Sequence, residues 1–391
     1  MSRIDGLHKA GLDRMPFSEP SLTIGVEEEY LIVDPVTRDL AEPPDEAFNK
    51  CGERLKNLVK PEFMKSQIEV ATRVCGTIKE IRNELIELRS VIAEVMGEYD
   101  LAPIAASTHP FASWETQLHT DKERYNILAE NMQAVARRLL INGMHVHVGV
   151  EDNEMRIEMM SQVAYFLPHL LALSTSSPFW RGELTGLKSY RLCVFDELPR
   201  SGLPERFESY GEYSRHVAVL VESGLIKDAT MLWWDVRPSA TFPTLEMRIT
   251  DICTRIDDTV CLAAIYLCII RMLYRLRRGN QKWRTYTNML INENRWRAQR
   301  YGIDEGMVDF GKGTVVPFAE LLEELFEIIE EDAEALACVD EVLHARNIMK
   351  TGTSAHRQLA TFEKTKAASG DEQKAFHAVV DELIAETVKG F

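Results

Sequence analysis

The run from Thr23 to Asp34, Thr-Ile-Gly-Val-Glu-Glu-Glu-Tyr-Leu-Ile-Val-Asp, constrains this chain more than any other. Its β-branched and aromatic residues, set between Pro20 and Asp34-Pro35, predict a strand. Side chains alternate across a strand, so Glu27 and Glu29 share one face and Glu28 takes the other. Two carboxylates on one face of an otherwise apolar strand repel each other and resist desolvation. A divalent cation removes both penalties, and oxygen ligands of this kind suit Mg²⁺ or Mn²⁺. A solvated acidic face would satisfy the same residues, so the other strands must decide.

Four further segments repeat the pattern. Phe63 to Val70 puts Gln67 and Glu69 on one face, and Gly143 to Val150 puts His145 and His147 opposite a row of valines. Met231 to Arg237 aligns Asp235 with Arg237, and Thr244 to Thr250 aligns Glu246 with Arg248. A strand facing a core carries apolar residues there. Five strands with polar groups at alternate positions therefore imply a shared polar bowl, with helices covering the opposite face.

Helical spacing is clearest from Thr77 to Met96, where Ile78, Ile81, Leu85, Leu88, Ile92 and Val95 form one stripe. Further helices are expected over Glu46–Leu58, Glu123–Leu140, Asn153–Ser174 and Arg206–Glu222. They are also expected over most of the chain beyond Arg255, with a breaker region from Gly302 to Pro317. The stretch from Ser177 to about Pro204, rich in Gly and Pro, is longer than an ordinary connection and reads as a functional loop or lid. Strands reach residue 250 without strict βαβ alternation, which predicts an α+β fold with a mainly antiparallel sheet. No repeat or low-complexity linker divides the 391 residues. A single domain over 1–391 is expected, with an N-terminal arm over 1–19 and a mostly helical part over 251–391.

The net charge of -16 argues against a nucleic-acid or acidic-membrane partner. The basic, aromatic run from Tyr274 to Tyr301 reads in its first half as a solvated helix face. Seven cysteines without a CxxC pair indicate neither a disulfide framework nor a structural zinc site. The most apolar segment, Val260 to Ile270, is interrupted by Arg271 and is too short for a membrane span. With no apolar run of the signal-peptide kind at the N-terminus, a cytoplasmic protein is expected.

Carboxylates outnumber histidines in the candidate bowl, and arginines are interleaved with them. A nucleoside triphosphate calls for such a set: a hard cation on Glu ligands and guanidinium forks for phosphate oxygens. No P-loop or kinase-type glycine loop is present, so an ATP site here is of another type. A metal-dependent amide hydrolase built on His145-x-His147 with Glu27 or Glu246 is the alternative.

Six motifs sharpen the choice: GVEEE at 25–29, NGMHVHVG at 142–149, SPFWRG…TGLKSYR at 177–191, WWDVRPS at 233–239, TLEMRITD at 244–251 and ENRWRAQRYG at 293–302. Together they resemble the carboxylate–amine ligase family of YbdK type, also called glutamate–cysteine ligase family 2. The resemblance implies a glutamine-synthetase-like fold, a curved antiparallel sheet of about six strands forming an open bowl with helices outside. It implies ATP- and Mg²⁺-dependent joining of an amino-acid carboxylate, glutamate above all, to an amine through an acyl phosphate. A homodimer is implied as well.

By position in the motifs, Glu27, Glu29, Glu69, His145 and Glu246 match metal ligands, and Arg248 and Arg191 match contacts to phosphate or acyl-phosphate oxygens. For Asn294, Arg295 and Arg300 the resemblance implies a buried or nucleotide-proximal role, and His147, Trp234 and Arg237 would line the substrate pocket. Lys65 stands where some relatives carry an acidic residue.

Overall fold

The computed structural model describes residues 19–390, so the expected arm over 1–19 lies outside them up to residue 18. The expected first strand is β1, Ile24–Val33. It pairs with β3 (Gln67–Ala71) on one edge, and with β5 (Met144–Gly149) and then β4 (Ala102–Ile104) on the other. β2 (Val59–Pro61), β6 (Val236–Pro238) and β7 (Thr244–Met247) complete a seven-stranded sheet. Its order is β6-β7-β5-β1-β3-β2, every pair is antiparallel, and it does not close.

Several elements are shorter or more broken than their sequence suggests. The strand expected over Phe63–Val70 begins only at Gln67, and the residues before it form a turn leading in from β2. The segment Met231–Arg237 divides at Asp235: Trp233–Trp234 pairs in parallel with Ser201–Gly202, and β6 alone joins the main sheet. The expected helix Glu123–Leu140 stops at Met132 because Gln133 adopts a φ of 49°, and only Ala134–Arg137 resumes it. Pro168 lacks the N–H that would continue a regular ladder, and Asn153–Ser174 divides around it. The parts are separated by a tighter turn over Ala164–Phe166. The breaker region holds a small hairpin, Met307–Asp309 with Thr314–Val316.

The helices that matter for the site are α1 (Ile78–Gly97), α2 (Asn153–Val163), α3 (Leu167–Ser174) and the short α4 (Arg191–Phe195). After them come α5 (Tyr210–Glu222), α6 (Ile256–Arg278), α7 (Asn288–Tyr301), α8 (Ser354–Ser369) and α9 (Glu372–Thr387). The apolar run of α6 does not stop at Arg271. The helix has 23 residues and contains an 18-residue stretch of mean hydropathy 1.7, enough by length and composition to cross a membrane, yet 83% of that stretch is buried inside the protein. It packs against α1, α2, α3 and β5 and forms the centre of the main core.

Alternation along β1 divides the molecule. Ile24, Val26, Tyr30 and Ile32 enter the core beneath the helices, whereas Glu27 and Glu29 face the open side. Farther along that open face, Leu31 and Val33 join a second apolar cluster with Phe362 of α8 and Phe376 of α9. One end of the polar face is thus covered by the C-terminal helices.

Glu28 goes to the core side and is fully buried beside Arg89 of α1. Arg89 binds both carboxylate oxygens, Nε to Oε2 at 2.9 Å and Nη2 to Oε1 at 2.5 Å. Thr259 donates to Oε1 at 2.8 Å, and the Tyr30 hydroxyl donates to Oε2. Arg89 also donates to the carbonyls of Thr254 (2.6 Å), Cys253 (2.9 Å) and Thr387 (3.3 Å). The pair therefore joins the central strand to α1, to the start of α6 and to the end of α9.

Removing one partner of a buried ion pair leaves an uncompensated charge, at a cost of about 3–5 kcal/mol. Arg89→Met should lower the unfolding free energy obtained from urea titration by that amount, with a correspondingly lower midpoint, and adding Glu28→Gln to it should recover part of the loss. An unchanged midpoint in Arg89→Met would remove the pair from the account of stability.

Candidate functional site

Register brings the polar residues of distant segments into adjacent rows. Glu27 lies opposite His145, Glu29 opposite Glu69, His147 opposite Glu246, and Glu246 opposite Arg237. Four of them, Glu27, Glu29, Glu69 and His145, line a cavity of about 180 Å³ together with Arg191 and Arg248.

Two carboxylate clusters form there. Glu27, His145 and Glu246 bring one potential ligand atom each to within 4.8 Å of one another, and so do Glu29, Glu62 and Glu69. In the first, His145 Nδ1 is 3.1 Å from Glu27 Oε2, and His147 Nε2 is 3.6 Å from Glu27 Oε1. Burial alone would raise the Glu27 carboxyl, but hydrogen bonds to His145 and His147 and the charge of His147 outweigh it and hold the group far below the usual carboxylate range. Burial works the same way on Glu246, where Arg248 and Arg237 outweigh it and keep the residue ionised. Burial and the Arg248 charge pull His145 down to about 4, so the imidazole is neutral and able to bind a cation.

The second cluster lacks such support. Burial pushes Glu29 up to about 7, against the pull of Arg191 and with Glu69 adding to the rise. Glu62 and Glu69 are raised too, by burial first and then by neighbouring carboxylates. Like charges directly opposite on a sheet destabilise it. A divalent ion on oxygen ligands relieves that conflict, and the donors, all carboxylates here, fit Mg²⁺ or Mn²⁺ better than zinc.

Two arginines line the cavity beside these carboxylates. Arg248 pairs with Glu246 through Nη1, and its Nε is buried without a hydrogen-bond partner among the described residues. Arg191, on α4, is 2% exposed and is oriented by the carbonyls of Ile249 (3.3 Å) and Arg248 (3.2 Å). Gly143 makes room for it, since a Cβ there would collide with the guanidinium. Asp251 braces the loop that carries it, accepting from the hydroxyls of Ser177 and Ser189 at 2.8 Å each.

Other expected site residues go elsewhere. Trp234 packs against Phe207 and Tyr213, and its neighbour Trp233 reaches the cavity instead. Arg237 is a clamp on Glu246, at 3.0 and 3.1 Å, and also holds the carbonyls of Thr230 and Leu232. His147 lies beside Glu27, but its Nδ1 is engaged with Thr244 Oγ1 at 2.9 Å. Asn294 is bonded to both backbone groups of Val308, and Arg300 to the Gly186 carbonyl, so neither lines the cavity. Asp235 is held by Arg295, which also binds Asp196 at the end of α4.

Glu62, Arg124 and Trp233 line the cavity without having been expected there. Glu62 follows the short β2, and the turn back to β3 carries it beside Glu69. Pro61, which ends that strand, was the available signal. Lys65 points away, 3.6 Å from Glu42, so Glu62 supplies the acidic group that Lys65 does not.

The model of glutamate–cysteine ligase family 2 (GCS2) matches residues 23–379. A protein of Rhodospirillum rubrum named "Putative glutamate--cysteine ligase 2" is 59% identical over 375 residues, covering 95% of this chain and 96% of its own. One of the same name from Jannaschia sp. is 53% identical, covering 95% and 98%. Among solved structures, a bifunctional glutathione synthetase from Pasteurella multocida superposes with a TM-score of 0.67 at 14% identity. That match covers 93% of this chain and 52% of the other, so the chain spans about half of that protein. A glutamate–cysteine ligase from Francisella tularensis, in complex with AMP, gives a TM-score of 0.64 at 13% identity, covering 96% and 90%. At these identities the structures speak for the fold: an open, mainly antiparallel sheet with helices around it.

Two clusters predict two cations. Counting bound Mn²⁺ by electron paramagnetic resonance, in the presence of a non-hydrolysable ATP analogue, should give one ion fewer per chain for Glu62→Gln than for the unaltered protein. An equal count would take Glu62 out of the ligand set.

Proposed function

The chain belongs to glutamate–cysteine ligase family 2 and is a carboxylate–amine ligase of that type; on that premise we propose that it activates an amino-acid carboxylate, glutamate above all, as an acyl phosphate formed with ATP. The observation that carries this reading is a single cavity lined by carboxylates of both clusters, Glu27, Glu29, Glu62 and Glu69, together with Arg191 and Arg248.

A carboxylate resists nucleophiles because its own negative charge repels them. Phosphorylation removes that charge and creates a leaving group, after which the amine attacks the carbonyl and phosphate departs. Glu27, His145 and Glu246 would hold one Mg²⁺, and Glu29, Glu62 and Glu69 a second; bound there, the ions supply charge neutralisation for phosphate oxygens. Arg248 and Arg191 direct guanidinium groups at the charge that develops on the transferring phosphoryl and acyl oxygens. The buried walls keep water from the acyl phosphate. No protein nucleophile is required, and positioning with charge stabilisation accounts for the rate. At about 180 Å³ the cavity suits an amino-acid-sized donor and the reacting end of ATP, which leaves the adenosine outside it.

The hydrolase alternative calls for His145 and His147 as paired ligands. Among the described residues only His145 of the two joins a cluster, and its companions are carboxylates, which weighs against a zinc hydrolase. Seven free cysteines, none cross-linked, support a place in the cytoplasm.

ADP should appear only when acid and amine are both supplied, and amide cleavage without ATP would sink the ligase reading. Glu27→Gln and Arg248→Lys should each lower turnover roughly 10²–10³-fold, about 3–4 kcal/mol, with an unchanged melting temperature. Near-normal rates would move the phosphate chemistry elsewhere. Gly143→Ala, which displaces Arg191 without touching its charge, should cost about a hundredfold in kcat; full activity there would show that Arg191 tolerates displacement.

A further inference from the structure

A second cavity, of about 420 Å³, opens between α2, α5 and the turn from β6 to β7, and shares no wall residue with the carboxylate cavity. Its organising group is Arg156 of α2, 6% exposed. Unlike the other buried arginines of this fold, Arg89, Arg191, Arg237 and Arg295, it owes nothing to the ligase site or to a carboxylate clamp. It donates to the carbonyls of Phe242 (3.3 Å) and Glu151 (3.5 Å) and to the Asn153 side chain, and pairs with no carboxylate among the described residues. Its Nε is buried without a hydrogen-bond partner among those residues, and burial pulls its pKa below the usual arginine value.

A buried guanidinium with no carboxylate in hydrogen-bond reach is costly, and the charges of Glu151 and Asp152 do not offset its burial. The walls around it are suited to a ligand that brings a carboxylate. Tyr210 and Tyr213 line the same cavity, and neither hydroxyl bonds another group among the described residues. Asp228 lines it too, with Oδ1 engaged by Thr230 and Oδ2 without a partner among the described residues. Val217, Ala218 and Pro238 supply apolar surface.

We propose that this cavity binds a zwitterionic α-amino acid with a small aliphatic side chain. The carboxylate meets Arg156 and the tyrosine hydroxyls, the ammonium meets Asp228, and the side chain lies on Val217, Ala218 and Pro238. A charge-assisted hydrogen bond from the remaining Nη1 hydrogen of Arg156 to the carboxylate is the strong contact in such a site. The site stands apart from the ligase chemistry and does not depend on the reading of that chemistry. It is nonetheless close to it, because Phe242, whose carbonyl Arg156 holds, has its ring edge-on to His147 at 6.2 Å.

The test is calorimetry on the full chain with L-norvaline as the probe. Norvaline should bind at millimolar concentration, and pentanoate and n-butylamine, each lacking one charged group, should bind roughly tenfold more weakly or less. Arg156→Met should weaken norvaline roughly thirtyfold or more. Tyr213→Phe, which keeps the ring and the packing, should weaken it by a smaller factor and serves if the arginine variant does not fold. Glu27→Gln should leave norvaline binding unchanged, which separates this cavity from the carboxylate one. Absence of binding, equal affinity for pentanoate, indifference to Arg156→Met and Tyr213→Phe, or loss in Glu27→Gln would each overturn the proposal.

Discussion

The buried pair of Glu28 and Arg89 is the interaction on which the rest of the structure depends. It holds β1, the strand that carries Glu27 and Glu29, to α1, to the start of α6 and to the end of α9. Because the strand has a period of two, anchoring Glu28 inside the core commits its two neighbours to the open face. A slip of one residue would exchange them, bringing two carboxylates into the core and one into the cavity. The ion pair therefore acts on register as well as on stability.

The open face is arranged against its own electrostatics. Glu29 lies directly opposite Glu69, with Glu62 beside them, and burial raises all three. A fold retains such a conflict when a ligand relieves it, and the stability lost at the site is supplied by packing elsewhere, here around α6. The arginines that line the same cavity are held by other means. Arg248 leans on Glu246, whereas Arg191 is set by backbone carbonyls, by the missing side chain of Gly143 and by Asp251 through Ser177 and Ser189. Arg237 and Arg295, charged and placed in the same motifs, hold neighbouring acids in position instead.

The alternating strands were legible because period-two patterning survives in a single sequence: Glu27 with Glu29, His145 with His147, and Glu246 with Arg248 all reach one face. The same rule failed at Asp235, where the chain leaves one small sheet and joins the main one, so that Trp233 and not Trp234 meets the cavity. Asn294 and Arg300 followed from motif position alone, and their side chains answer to local backbone groups. Glu62 was hidden because a turn, not a strand, delivers it.

From sequence alone came the acidic strand, its division into an inward and an outward face, the mainly antiparallel α+β class and the family with its amide-forming chemistry. Those depend on periodicity and on local runs of residues, which a linear chain displays directly. Tertiary structure alone decided that Glu62 completes the second cluster, that Arg191 lies against Gly143, that α6 is a core helix despite a membrane-like composition, and that Arg156 has a cavity of its own. Each of these joins residues far apart along the chain, and which of them come within a few ångströms is set by strand register and helix packing, quantities no single segment carries.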